Sequence, residues 1–457
     1  MRAEVAAELA VGVRVSASER LAGAIDLDET KQLVRALEGS GLVDFVDVSL
    51  GHLWSYPSII GGMHEPEGYQ LETSRPITAV CSTPTIVAGR VTSLRLAAQL
   101  VEDGTADLVS VLRATIADPD LVRKSATGRA AQVRPCIACN ECFRAVTVER
   151  RIACAVNPQA VPPYPAIAAA APRRVVVVGG GPAGCEAAHV ARSAGHEVVL
   201  LESRDRLGGA LRDAGAAPHR QALATLADWY EVELERLGVD VRVSTSADIA
   251  VVRDLRPDHV IVATGATARR DGRQSARPGL GPPGVGLPHV HTAVEVPRGA
   301  CHGARNAVVL DDLGSYDAVG VAEQLAAQGT EVVIVTSLSG PAASLGATLE
   351  RDPARQRLER AGVRCFAGFA LVAIDDAEVD IESLGDAGCL RLPSDLVVLV
   401  TGYEPVAALA DELHAAGMPT TVIGDAATPG RLRDATSSAL QAVLALDALM
   451  TPTAPTT

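Results

Sequence analysis

Lysine is almost missing from this chain: of 41 basic residues in 457, only Lys31 and Lys124 are lysines. Aromatic residues make up 3% of it, and 55 acids against those 41 bases leave a net charge of −14. A surface of that sign repels phosphate backbones, which argues against nucleic acid as a partner. No stretch of eighteen or more residues stays apolar without a charge or a Gly/Pro break, and no basic-then-apolar signal segment follows Met1. The expectation is a cytoplasmic protein with no membrane partner.

Cysteine is scarce outside one short stretch. Cys81, Cys185, Cys301, Cys365 and Cys389 are scattered singly and read as small buried hydrophobes. The other four lie in RPCIACNECFRAVTVERRIAC, where Cys136, Cys139 and Cys142 are three apart and Cys154 follows twelve further on. Cytosolic thiols stay reduced, so a cluster of them reads as a ligand set, not as disulfides. Four thiolates hold either Zn²⁺ or a cubane iron–sulfur cluster. Structural zinc usually takes two separated pairs, whereas three ligands at this spacing with a distant fourth favour [4Fe–4S].

A length of 457 residues suits about two or three domains. Up to residue 130 a β-branched run, a polar loop and an amphipathic helical stretch recur, with strands expected at 11–16, 43–50, 83–89 and 106–112. The helical stretches ETKQLVRALEGSG and LRLAAQLVEDG end in Gly, as a C-cap demands. Alternating strand and helix means parallel strands with crossover helices. A closed barrel of this kind takes eight βα units, so the four here read as half of one.

After Cys154 a Pro/Ala segment reads as a linker. Then VVVVGGGPAG sets Gly179, Gly181 and Gly184 in the G-x-G-x-x-G order, with Pro182 and Ala183 between, after a strand and at the start of a helix. Glycine there permits the tight turn, the approach of a pyrophosphate and close helix–strand packing. Glu202, eighteen residues past Gly184, ends the next strand, where a carboxylate suits a ribose hydroxyl. Three further Gly-centred loops follow strands of the same domain: DRLGGAL with Gly209, VIVATGA with Thr264 and Gly265, and VIGDAA with Gly424 and Asp425. A second βαβ pattern begins at NAVVL, and after it Asp311 and Asp312 stand where they would repel a nicotinamide nucleotide's phosphates, so the NAD(P)H site there is doubtful and the pattern reads either as a fold kept for packing or as the seat of a ligand.

The chain is therefore read as α/β throughout. Residues 1–130 form half of a (β/α)8 barrel, 131–171 the cysteine loop and linker, and 172–300 the first part of a Rossmann-like FAD/ADP-binding domain. Residues 301–400 form an inserted, degenerate NAD-type domain, and 401–457 the return to the FAD/ADP-binding domain and the tail.

That order of half-barrel, C-x2-C-x2-C-x11-C, GGGPAG, ATG and GD resembles the iron–sulfur branch of the old yellow enzyme family, with its trimethylamine and histamine dehydrogenases, 2,4-dienoyl-CoA reductase and N-methylproline demethylase-like proteins. The resemblance implies FMN in a completed barrel, a [4Fe–4S] cluster on Cys136, Cys139, Cys142 and Cys154, and FAD or ADP on the following domain. It casts Arg14 as the flavin-ring contact and Gly89, Arg90 and Arg113 as the phosphate-binding residues. His52, Trp54 and Tyr56 become candidates for the substrate side, because the family's catalytic residues lie on barrel strands with no counterpart here. The function implied is oxidation of an amine or N-methyl group, or reduction of an enoate. A half-barrel partner chain or a second copy, and an electron-carrier protein, are the implied partners. A non-catalytic electron-transfer subunit and an inactive fragment are the competing readings.

Overall fold

The computed structural model describes residues 9–160, 171–279, 281–296 and 303–448. Residues 1–8, read above as part of the half-barrel, most of the Pro/Ala linker, Cys301 and the C-terminal tail lie outside them. The chain divides into two compact units, Met1–Cys142 and Phe143–Thr457.

In the first unit all four β-branched runs form strands: β1 (Gly12–Ser16), β2 (Phe45–Ser49), β3 (Thr85–Val87) and β4 (Leu108–Val109). They pair in sequence order, each parallel to the next. The helices Leu27–Gly39, Leu71–Thr78 and Leu94–Glu102 supply the crossovers. The first is started by a capping box in which the Asp26 carboxylate accepts from the Asp28 and Glu29 amides while Glu29 accepts from the Asp26 amide. Strand period sorts the side chains. Val15, Val46 and Val48 pack on Val34 and Ile77 of the helices, whereas Arg14 and Asp47, direct partners across the β1–β2 ladder, point to the opposite face.

The second unit holds two parallel sheets. The first is built from β5 (Arg174–Val178), β6 (Glu197–Leu201), β7 (Asp240–Arg242), β8 (His259–Val262) and β19 (Thr420–Val422), in the order β19–β8–β5–β6–β7. Taken in order of appearance this is 5-4-1-2-3, the doubly wound arrangement that binds ligands beyond the carboxyl ends of its strands. Between β8 and β19 the chain builds a second parallel sheet from β10 (Val290–Thr292), β11 (Asn306–Asp311), β12 (Glu331–Thr336), β13 (Arg364–Ala367) and β17 (Leu396–Val400), in the order β10–β17–β11–β12–β13. A short antiparallel pair, β9 (Ala266–Ala268) with β18 (Tyr403–Pro405), carries the chain out and back. An antiparallel meander, β14 (Phe369–Ile374), β15 (Glu378–Ser383) and β16 (Cys389–Pro393), packs on the second sheet through Leu371, Val379 and Ile381.

Cys185 is buried as expected, but Cys365 and Cys389 are exposed. Both sit on strands at or beyond the rim of the second sheet, where alternate residues face solvent. Cys81 is half-buried. Among the described residues no helix is long and apolar enough to cross a membrane.

Candidate functional site

Four loops meet at the carboxyl edge of the first sheet in the second unit. The helix Pro182–Ala194 starts at Gly181, with the ring of Pro182 at a position that needs no amide donor. A Cβ on Gly184 would lie 1.8 Å from the Gly179 carbonyl oxygen, and one on Gly179 would lie 2.3 Å from that of Ala263. Helix, turn and β8 are therefore in backbone contact. A Cβ on Gly181 meets nothing within 4 Å, so this glycine borders open space at the helix N-terminus. Gly209 lies against Gly181, with 3.1 Å between its would-be Cβ and the Gly181 Cα, and the Gly208 amide donates to the Gly180 carbonyl at 2.8 Å. Thr264 donates through its hydroxyl to the Val406 carbonyl, and Gly265 accepts from the Val406 amide, which fixes the turn after β8. Gly424 packs on Ala183.

Two carboxylates border this cradle. Glu202, buried at the end of β6, accepts from the Gly180 and Arg204 amides, both at 2.7 Å. It thereby ties the glycine turn to the next strand as well as standing where a ribose hydroxyl is expected. Asp425 accepts from the Gly430 amide at 3.0 Å, and burial raises its carboxyl above the usual range.

The corresponding turn of the second sheet is closed from within. Asp311, fully buried, accepts from the Leu313 and Gly314 amides at 3.1 and 2.8 Å, the donors that would otherwise face a phosphate. Burial pushes its carboxyl up to about 6. Asp312 accepts from the amide and hydroxyl of Ser275, and Ser315 caps the helix Tyr316–Ala327.

In the first unit Arg14 lies 3.4 Å from Asp47. The Asp47 carboxyl is raised by burial, an effect the Arg14 charge partly offsets, and its Oδ1 is buried with no hydrogen-bond partner. Sequence reasoning passes over Asp47, although a charge inside a β-branched run is the available signal. Gly89 has φ +116 and Arg90 φ +57, so the loop after β3 turns sharply. The two arginines assigned to phosphate have other partners. Arg90 donates to the Gly62 and Met63 carbonyls at 3.2 Å, and Arg113 to the Gly61 carbonyl at 2.8 Å and to Asn140 at 2.6 Å. His52 caps a short turn by accepting from the Trp54 amide, Trp54 is 80% exposed, and Tyr56 opens the helical turn Tyr56–Ile59.

Cys136, Cys139 and Cys142 belong to the first unit and Cys154 to the second; all four are half-buried thiols outside any disulfide. The backbone is left-handed at Ala138 and Asn140, each next to Cys139, which curls the segment as a multi-ligand loop requires. Among the described residues no three His, Cys, Asp or Glu side chains converge tightly enough to hold a metal ion. A single zinc ion needs every sulfur within about 2.3 Å of one point. A cubane takes thiolates at its corners, and Cys136, Cys139 and Cys142 of the first unit are donors of that kind.

Between Cys142 and Cys154, Glu149 receives Arg433, Arg151 and Arg144. Arg433 chiefly holds the Glu149 carboxyl well below the usual range. Thr436, one turn along the closing helix Leu432–Ala448, donates to the Ala155 carbonyl at 3.0 Å. Arg433→Ala should lower the thermal midpoint at neutral pH. A depressed carboxyl contributes stability above its unfolded value, 4.5, and loses it as pH falls through the folded one. The gap to the parent protein, followed by circular dichroism, should therefore narrow below about pH 4.5.

Residues 1–132 match the NADH:flavin oxidoreductase / NADH oxidase family, and residues 126–254 match the pyridine nucleotide-disulphide oxidoreductases. An NADH oxidase of Thermoanaerobacter brockii is 33% identical over 441 residues, covering 94% of this chain and 66% of that protein. An N,N-dimethylglycine/sarcosine dehydrogenase of Chromohalobacter salexigens is 33% identical over 364 residues, 76% of this chain and 51% of that one. Among solved structures, histamine dehydrogenase from Rhizobium sp. 4-9 superposes with a TM-score of 0.90 at 26% identity, over 98% of this chain and 67% of that one. The chain thus spans between half and two thirds of the length of these curated relatives.

Proposed function

Because this chain belongs to the old yellow enzyme-like NADH:flavin oxidoreductase family, we propose that it is a flavin-dependent oxidoreductase chain that oxidises a small amine or N-methyl compound and passes the electrons to an acceptor protein. The observation that carries the choice of an amine over a nucleotide-fed reduction is Asp311. Its carboxylate fills the turn where the second sheet would cradle NAD(P)H phosphates. Two of the similar proteins are named as dehydrogenases of amines, which supports the same direction.

Bound FMN, a [4Fe–4S] cluster and FAD or ADP would supply two-electron oxidation at a carbon–nitrogen bond and one-electron transfer onward. The residues' parts follow from their chemistry. Arg14, at the β1–β2 face, would bring a fixed positive charge to a flavin ring and is itself paired with Asp47. The loop turned by Gly89 and Arg90 offers backbone donors to a phosphate, while the Arg90 side chain braces the neighbouring loop. Gly181 leaves the helix N-terminus open, where a pyrophosphate would approach; Glu202 would take the ribose, and Asp425 would border the rest of the nucleotide. Cys136, Cys139, Cys142 and Cys154 supply the thiolates. His52, Trp54 and Tyr56 lie on the loop after β2, and Trp54 offers an aromatic face suited to an alkylammonium.

Anaerobic titration of the purified protein, followed at the flavin absorbance, tests this reading. Bleaching by a small secondary or tertiary amine, with little by NADH, is expected. Bleaching by NADH with no response to any amine would overturn it.

A further inference from the structure

Six consecutive backbone carbonyls, Ser58 to Met63, are each taken by a side chain from elsewhere in the first unit. Tyr69 and Gln70 donate to those of Ser58 and Ile59, and Arg90 to those of Gly62 and Met63. The two in the middle are held with help from the cysteine loop. Asn140 donates through Nδ2 to the Ile60 carbonyl at 3.0 Å, and its Oδ1 accepts from Arg113 at 2.6 Å. The same Arg113 nitrogen reaches the Gly61 carbonyl at 2.8 Å. Asn140 is 1% exposed and lies between Cys139 and Cys142 with φ +55, a conformation Asn tolerates better than most residues.

We infer that Asn140 is a positioning residue that fastens the Cys139–Cys142 turn and the loop carrying His52, Trp54 and Tyr56 into one piece. This deepens the cluster reading above and rests on it. An irregular loop moves unless its polar backbone groups find partners. Here those partners include a residue set between two thiolate ligands, so loop and ligand turn keep a fixed relation. A side chain hydrogen-bonding on both sides from a buried position does this at small entropic cost, because asparagine has few rotatable bonds to freeze.

Two substitutions separate the effects. Asn140→Gly keeps the left-handed backbone comfortable while removing both side-chain hydrogen bonds. Asn140→Asp keeps the oxygen for Arg113 and loses the donor to Ile60. In anaerobically prepared protein, hydrogen–deuterium exchange of residues 58–63 should be at least about tenfold faster in N140G, with N140D between it and the parent. The low-temperature electron paramagnetic resonance spectrum of the dithionite-reduced protein should change in N140G and be partly restored in N140D. Unchanged exchange, or changed exchange with an unaltered spectrum, would overturn the proposal. If the parent protein carries no iron, the cluster reading fails by itself, and the exchange arm still decides whether Asn140 holds the loop. Should N140G yield no soluble protein, Arg113→Gln takes its place under the same two readouts, since it removes the contacts to both Gly61 and Asn140.

Discussion

Cys139→Ser should take the protein from about four iron atoms per chain to fewer than about one, and remove its low-temperature paramagnetic signal. A serine hydroxyl is a poor ligand at neutral pH because it does not ionise there, whereas a thiol bound to iron is deprotonated outright. The loss at one corner leaves the remaining thiolates holding an incomplete cluster that oxygen and chelators strip. Parallel serine changes at Cys136, Cys142 and Cys154 should give the same outcome. Serine at the buried Cys185, which donates to the Gly180 carbonyl, should leave the iron untouched. Equal iron in the Cys139 and Cys185 variants would remove the ligand assignment.

The second large effect separates two glycines of one motif. At Gly184 any side chain would drive a carbon to 1.8 Å from the Gly179 carbonyl oxygen, so Gly184→Ala must push the helix away from β5 and β8. Overpacking of that kind costs about 1–3 kcal/mol, more where backbone blocks backbone, and urea melts should show it. Gly181 has an ordinary φ of −74, and a Cβ placed on it would have no neighbour within 4 Å. Gly181→Ala should therefore leave stability within about 0.5 kcal/mol of the parent. Its methyl group would still stand where a pyrophosphate must approach the helix amides, so ADP affinity by calorimetry should fall about tenfold or more. A G181A protein that is stable and binds ADP normally would move the nucleotide away from this turn.

Much of the architecture is readable from local rules. The runs at 11–16, 43–50, 83–89 and 106–112 each contain a strand because each is short, rich in β-branched residues and bounded by turn residues. The glycine turn of the second unit is likewise local, a strand feeding directly into a helix. What local rules do not reach depends on distance along the chain. Arg433 meets Glu149 across 284 residues, and Arg113 meets Gly61 across 52. A guanidinium on a flexible stem can reach many partners, so nothing in the spacing of Arg90 and Arg113 distinguishes a phosphate from a row of carbonyls. The meander Phe369–Pro393 escapes a reading by pattern because Phe369–Ile374 is apolar throughout, and a short continuous apolar run does not tell strand from buried helix by its period. The exposure of Cys365 and Cys389 is hidden for a related reason, since burial of a lone cysteine is a tendency of the residue and not a property of its place in a strand.

The redox role turns on what the four clustered thiols hold. Metal analysis and low-temperature paramagnetic resonance of the anaerobically purified parent protein test that directly. About four iron atoms per chain, with a signal that appears on reduction by dithionite, is the predicted result. Stoichiometric zinc, or protein with no metal and undiminished flavin reduction by an amine, would contradict it.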